Sequence, residues 1–513
     1  MSRKILLWSI FSIFSLLWAA ETGNDEFLYL HTASFNFHDG VPFVRVHIAD
    51  IPAPAHVAGS FSASCGSQRS SGDVADVTVG GYGPAQVRYR VAVEELTKEQ
   101  LSRYRDILEK TAAELGRPVE LFSAGGLFSI SDRRIDNREY YVALAGSFDL
   151  AAATAAQEKL REDLPARRIL VIPVLAAPSK AMLTVAGPAS RISCDRFVRL
   201  TASGPLTVGS FSFPAKSVLF LYAVAEGAVG LVAEEDVEKL LYRILPGEMF
   251  ASAPMETLKA QAVAARSDIF MQLGKRHAAD PFHICSEVHC QKLQWDGQKI
   301  PQKFVDAVNA TRGEILLYRD LYVARAPYSS SCGGHTESNR AVWFSAEQEY
   351  LTGVWDTDAP LKLDMTRPTD VRKFLEGKDG ECGIALNKRF RWERTFTDKR
   401  MDELLASYGV GRILELTPVE RGSSGRVWKL LVGGEKGERT VYGELVMRRL
   451  LEDLPSSLFV IDHEKGIWRF KGAGWGHGVG MCQMGAVGLG QKGKKYREIL
   501  SRYYPGTTVT KIY

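Results

Sequence analysis

Ser252-Ala-Pro-Met-Glu-Thr-Leu-Lys-Ala-Gln-Ala-Val-Ala-Ala-Arg266 reads as the opening of a helix, with Pro254 placed for its first turn. At about 100° per residue, Leu258, Ala262, Ala265 and Ile269 form one apolar stripe, and Glu256, Lys259 and Arg266 fall away from it. Val263 and Phe270 share the face of Glu256, so that face is expected to floor a cleft rather than form a plain solvated row of charges. Leu245-Pro-Gly-Glu-Met249 leads into the helix and supplies a second carboxylate, Glu248.

Near the C-terminus, Gly472-Ala-Gly-Trp-Gly-His-Gly-Val-Gly-Met-Cys-Gln-Met-Gly-Ala486 sets six glycines around His477, Cys482 and Gln483. Such density suits a loop whose backbone takes positive φ or lets a ligand approach closely. Trp475, Met481 and Met484 are not residues of a solvated linker. A second loop, Tyr328 to Glu337, offers Ser330, His335 and Thr336 to sugar hydroxyl and N-acetyl groups. No motif bearing an aspartate completes a Ser-His nucleophile pair here.

His277, His283, Cys285, His289 and Cys290 crowd one short segment, and two thiolates with two imidazoles suit a tetrahedral zinc. A disulfide between Cys285 and Cys290 is the alternative. Four protein ligands would leave no open position for water, so such a site is structural. Cys65, Cys194, Cys332, Cys382 and Cys482 are dispersed, and seven cysteines in all leave at least one outside any set of intramolecular disulfides.

With 513 residues the chain exceeds one hydrophobic core and should divide into roughly two to four domains. A composition of 45% hydrophobic and 24% charged residues is ordinary for a globular protein, and a net charge of +4 makes no case for nucleic acid. Met1 to Lys4 followed by uncharged Ile5 to Ala20 has the basic start and short apolar run of an export signal. Cleavage after Ala19 or Ala20 would leave Leu17 or Trp18 where a small residue is expected, so residues 1–20 read as a signal peptide or a retained N-terminal anchor. The expected location is the periplasm or cell envelope.

Between these ends, residues 21–83 read as a strand, Phe43 to Ile48, and a Ser/Gly-rich loop, Gly59 to Gly72. Residues 84–176 read as βαβ written twice, which predicts a small ferredoxin-like α/β sandwich. Residues 181–513 open strand-rich and carry the helix and loops above. The predicted class is α+β: a mixed, strand-rich catalytic domain with a helix-borne glutamate, and an inserted sandwich.

Two resemblances sharpen these expectations. Tyr140-Tyr-Val-Ala-Leu-Ala-Gly-Ser-Phe148, with Lys159-Leu-Arg161 near the end of the following helix, resembles the sporulation-related repeat (SPOR) domain, which implies binding of peptidoglycan strands stripped of their peptides. Leu245 to Met249, Glu256 to Arg266, Cys285-Ser-Glu-Val-His-Cys-Gln291, Tyr328 to Glu337 with Val342-Trp343, Arg391-Trp-Glu393, Gly474 to Gln483 and Tyr503-Tyr-Pro-Gly506 resemble, in order, the stage II sporulation protein D family. Its members include lytic transglycosylases acting on peptide-free glycan, and the amidase enhancers are related.

The family resemblance implies Glu256 as the catalytic residue, with Glu248 as the second candidate against a capping or structural ion-pair role. It implies substrate contacts from Glu248, Lys259, Arg266, Ser330, His335, Thr336, Trp475, His477 and Gln483. It also implies zinc on Cys285, His289 and Cys290 with an upstream histidine; His277 lies closer to the family's position and His283 nearer in sequence. Some members lack metal. A helix first turn favours the ionised glutamate, so acid catalysis by Glu256 requires burial against Met255 or Trp475 to prevail. Cys332 and Cys482 stand where the family is expected to carry serine or another small residue, and their pairing with Cys382 stays open. Implied partners are glycan strands and, on the enhancer alternative, a cell-wall amidase.

Overall fold

The computed structural model describes residues 30–31, 36–287, 290 and 300–513, and its class is α+β. The expected signal or anchor at 1–20 and His289 lie outside the described residues. Among the described residues no helix is long and apolar enough to cross a membrane.

Val41–Pro52, Ala55–Cys65 and Gln68–Gly83 are long strands of an 11-stranded sheet that also takes in the strands from Lys180–Ala186 to Ala228–Asp236. The Ser/Gly-rich stretch read as a loop is therefore a hairpin, with Phe61 paired to Gly72 and Cys65 to Gln68. Phe61, Ala63 and Cys65 point into the core and the serines between them point away from it, which is the period-two pattern of a half-buried strand. Residues 41–83 and 180–236, separated in the sequence reading, thus share one sheet. A Cys65–Cys194 disulfide joins the two segments across everything inserted between them.

That insertion contains a four-stranded sheet in the order Leu170–Ala177, Gln86–Leu96, Glu139–Leu144, Val119–Ala124, every neighbour antiparallel. Helices α1 (Tyr104–Leu115) and α2 (Leu150–Asp163) cover one face, packing on Val91, Val93, Val142 and Leu144. Asp149 caps α2 by accepting the Ala152 N–H, and satisfies one of the orphan donors of a helix start. Alternation sends Ala92, Tyr141 and Ile172 to the opposite face.

The hairpin Leu127–Ile130 and Arg133–Asp136 leaves this module altogether. It joins a five-stranded sheet with Tyr322–Val323, Glu314–Tyr318 and Thr507–Lys511 of the C-terminal body. Directly after it, buried Asn137 donates to the carbonyls of Phe270 at 2.7 Å and Leu273 at 2.9 Å, closing the end of a helix in that body.

Helix α3 (Val237–Glu248) leads to that helix, α4 (Met255–Gln272), which is buried nearly all round. Leu258, Ala262, Ala265 and Ile269 face the core under the large sheet, as the stripe predicts. Ala260, Val263 and Ala264 face a second core with Cys332, Met481 and Tyr503. The expected polar face is absent at Arg266, whose fully buried guanidinium makes a fork with Glu238 at 3.0 and 2.6 Å. Helices α5 (Gln483–Gln491) and α6 (Tyr496–Tyr503) pack on α4 from the far side.

Candidate functional site

A cleft of about 830 Å³ opens between the bare face of the inserted sheet and the C-terminal body. One wall is Tyr141, Arg168 and Leu170 to Pro173; the other is Glu248, Asp268, Lys275, Arg276, Tyr328, Trp343 and His477. The two halves of the chain thus build one groove.

Glu248 ends α3, where the helix presents partial negative charge. Its position is fixed from behind: Gln483 Nε2 donates to the Glu248 carbonyl at 3.2 Å and to Gln261 Oε1 at 3.3 Å. Burial, with the carboxylates of Glu248 and Asp268 adding to it, pushes the Tyr328 phenol well above its ordinary range, so Tyr328 stays a neutral hydroxyl.

His477 lines the same cleft. Its Nδ1 accepts the Val479 N–H at 3.0 Å, which leaves the proton on Nε2, 3.0 Å from the Tyr328 carbonyl that it meets. Burial, then Arg426, pull its pKa down to about 4, in keeping with that neutral tautomer. With both nitrogens engaged by backbone, His477 holds the loop and packs its ring 5.2 Å from Trp343. The glycines that allow this are specific: a Cβ on Gly478, at φ +78°, would sit 2.3 Å from Arg426, and one on Gly480, at φ +71°, 2.1 Å from the Pro327 carbonyl.

Glu256 is elsewhere. It accepts from Lys259 Nζ at 2.8 Å and from the Tyr496 N–H at 2.9 Å, at the start of α6, and does not line the cleft. Burial pushes its carboxyl up, but those two hydrogen bonds outweigh it and hold the group below the ordinary glutamate range. The expected contact with the glycine loop and the burial that acid catalysis requires are both missing.

Other expected substrate contacts are also interior. His335 is buried, with Nδ1 2.6 Å from the Thr336 carbonyl and its ring against Trp355. Buried Thr336 accepts the Val354 N–H at 2.7 Å. Arg266 is consumed by Glu238, and Lys259 by Glu256. Ser330 sits half-buried beside the glycine loop, its carbonyl accepting the Met484 N–H at 3.1 Å. Trp475 lies under the Arg389 guanidinium, 3.4 Å from the ring centre, outside the cleft lining. Of the residues expected to contact substrate, Glu248 and His477 line the groove, and Gln483 supports it.

Sequence reasoning missed the basic residues Arg168, Lys275, Arg276 and Arg325, which come from three separate segments. Arg325 and Lys275 meet Glu139, and Arg325 and Arg168 meet Glu95, in a network that fastens the module to the body. Burial raises the Glu139 carboxyl, but Arg325 and Lys275 outweigh it and hold Glu139 far below its usual range.

His277, Cys285 and Cys290 converge with their ligand atoms within 4.8 Å of one another. His277 Nε2 is 3.3 Å from Cys290 Sγ, and the two sulfurs are 3.6 Å apart. Asp280 Oδ2 lies 2.7 Å from His277 Nδ1, the carboxylate–histidine arrangement that orients a metal-binding imidazole. His283 is turned to Arg45, which donates its N–H to Nδ1 at 3.1 Å and sets its guanidinium 2.7 Å from Nε2. Of the two histidines, His277 is the one that lies beside the sulfurs.

Comparison with known proteins matches residues 225–318 to the family described as stage II sporulation protein, and residues 337–480 to a domain of unknown function (DUF8618). An uncharacterized protein of Brachyspira hyodysenteriae is 29% identical over 288 residues, covering 54% of this chain and 68% of that protein. The amidase enhancer of Bacillus subtilis is 27% identical over 304 residues, 52% of this chain and 40% of its own length. Stage II sporulation protein D of Bacillus amyloliquefaciens is 27% identical over 290 residues, 53% of this chain and 74% of its own.

Proposed function

Given that the chain is assigned to the stage II sporulation protein D family through residues 225–318, we propose that it is an exported lytic transglycosylase of peptide-free peptidoglycan glycan, with Glu248 as its catalytic acid and base. The named relatives support a cell-wall role. The observation that carries the finer reading is the placement of Glu248 in a groove walled by both halves of the chain, while Glu256 is bound to Tyr496 and Lys259.

One carboxyl suffices for the reaction. Protonated Glu248 gives its proton to the glycosidic oxygen as the bond from the muramic C1 breaks. The resulting carboxylate takes the C6 hydroxyl proton as O6 bonds to C1, closing a 1,6-anhydro ring without water and restoring the acid. An ordinary hydrolase would need a second carboxylate. Trp343 offers a flat face to a sugar ring, and exposed Arg276 offers charge to the lactyl carboxylates that peptide removal exposes.

The inserted module serves in this reading as a SPOR-like glycan binder. Its antiparallel order, with two helices on one face, is that of a split βαβ sandwich, and its other face is the groove wall. The Cys65–Cys194 disulfide supports an oxidising compartment outside the cytoplasm. His277, Cys285 and Cys290 suit a structural zinc, which would pin the segment after α4 to the strand Val41–Pro52 through Cys285.

The amidase-enhancer relative favours a second reading, a non-catalytic glycan binder that stimulates a cell-wall amidase. Digestion of peptide-free glycan by the wild-type chain and by Glu248→Gln, with products read by mass spectrometry, separates the two.

A further inference from the structure

We propose that Cys332, Asp356, Cys382 and Cys482 form a second zinc site, buried in the C-terminal body and distinct from the His277 cluster. The inference is independent of the catalytic reading.

The four ligand atoms lie within 4.8 Å of one another, and all four residues are wholly buried. Cys332 and Cys382 are not joined; their sulfurs stand 3.6 Å apart. Two thiolates each about 2.3 Å from one tetrahedral zinc stand about 3.8 Å apart. Backbone N–H groups already point at the sulfurs: Cys332 and Gly485 donate to Cys482 Sγ at 3.1 and 3.3 Å, and Gly334 donates to Cys332 Sγ at 3.4 Å. Such donors stabilise sulfur that carries charge.

Asp356 is oriented as an outer shell orients a ligand. Tyr503 donates its hydroxyl to Oδ1 at 2.6 Å, and the Cys382 N–H donates to Oδ2 at 2.9 Å. The nearby guanidiniums make no direct hydrogen bond to the sulfurs or to Asp356: Arg391 donates to the carbonyls of Gly333, Phe374 and Gly377, and Arg426 to those of Cys332 and His335. Ionised, three thiolates and a carboxylate packed together in a core are costly unless a cation joins them, and a metal would supply that cation. A disulfide would take only two of the sulfurs and leave the third beside Asp356. Sulfur-rich tetrahedral donors select zinc among common divalent ions. With four protein ligands the site is closed, hence structural.

Its place gives it a role. Cys482 lies within the glycine-rich stretch and caps α5, and it belongs with Met481 to the short strand paired to Tyr328 and Ser329. A zinc here would lock the His477 loop against the Tyr328 segment.

The test uses the full chain. Wild type is expected to carry about two zinc ions per chain by elemental analysis, and the double variant Cys285→Ser/Cys290→Ser to keep about one. Exchanged for cobalt(II), that variant should show intense visible bands of a tetrahedral thiolate site. If the double variant does not fold, cobalt-loaded wild type decides, its sulfur-to-metal absorption matching five thiolates rather than two. A disulfide among Cys332, Cys382 and Cys482 in unreduced peptide maps, a metal-free folded double variant, or absorption matching two thiolates or fewer overturns the proposal.

Discussion

Glu256 accepts the backbone N–H of Tyr496 at 2.9 Å, across 240 residues of chain. That bond assigns the first carboxylate of α4 to holding α6 in place. Glu256→Gln is therefore expected to leave glycan cleavage within a few-fold of wild type and to lower stability by up to about 1 kcal/mol, because the amide oxygen can still accept the Tyr496 N–H while the charge paired with Lys259 is lost. The folded-state carboxyl is held below its ordinary value, so its contribution is present above the unfolded pKa and is lost as pH falls through the folded one. Melting curves of the two proteins should differ at neutral pH and converge below about pH 4.

His477 gives a second pH signature, of the same sign but in a higher window. A histidine whose pKa falls to about 4 on folding binds fewer protons folded than unfolded. Its stability contribution is complete above roughly pH 6.5 and declines toward pH 4 by up to about 1.4 kcal/mol per unit. His477→Gln should flatten that decline in a series of melting curves. The cleavage rate of wild type should show no inflection from His477 near neutrality.

The start of α4 and its Leu258 to Ile269 stripe were legible in the sequence, because local periodicity dictates them. The fate of Arg266 was not: its partner, Glu238, comes from another helix, and no spacing rule joins them. His335 and Thr336 look like ligand-binding residues in a Ser/Gly loop, yet a strandlike crossing with Val354 and Trp355 buries them. The hairpin at Gly59 to Gly72 did carry a signal, the alternation of Phe61, Ala63 and Cys65 with serines, but small residues hid it. Glu248 as a groove residue depends on Gln483 and the inserted sheet, both distant in sequence.

The module is fastened to the body by Arg325, which meets Glu139 and Glu95. Arg325→Ala leaves Glu139 with Lys275 and Glu95 with Arg168, so the loss should stay below the about 3–5 kcal/mol of leaving a buried charge unpaired. Hydrogen exchange should rise in Glu139–Leu144 and in the hairpin Leu127–Asp136 before it rises in the 11-stranded sheet. Uniform loosening throughout would refute a docking role.

Asp280 orients His277, so Asp280→Asn is expected to weaken zinc retention at the first cluster about 10–100-fold, read by competition with a chelator. The wild-type melting temperature should fall on chelation, and the variant's should fall at lower chelator concentration.

The most direct measurement is digestion of peptide-free glycan by wild type, Glu248→Gln and Glu256→Gln, with anhydro-muramyl ends counted by mass spectrometry. The account predicts anhydro ends from wild type and Glu256→Gln, and a loss on the order of a hundred- to ten-thousand-fold in Glu248→Gln, which should still bind glycan. Full cleavage by Glu248→Gln, loss confined to Glu256→Gln, or no anhydro product from wild type would contradict it.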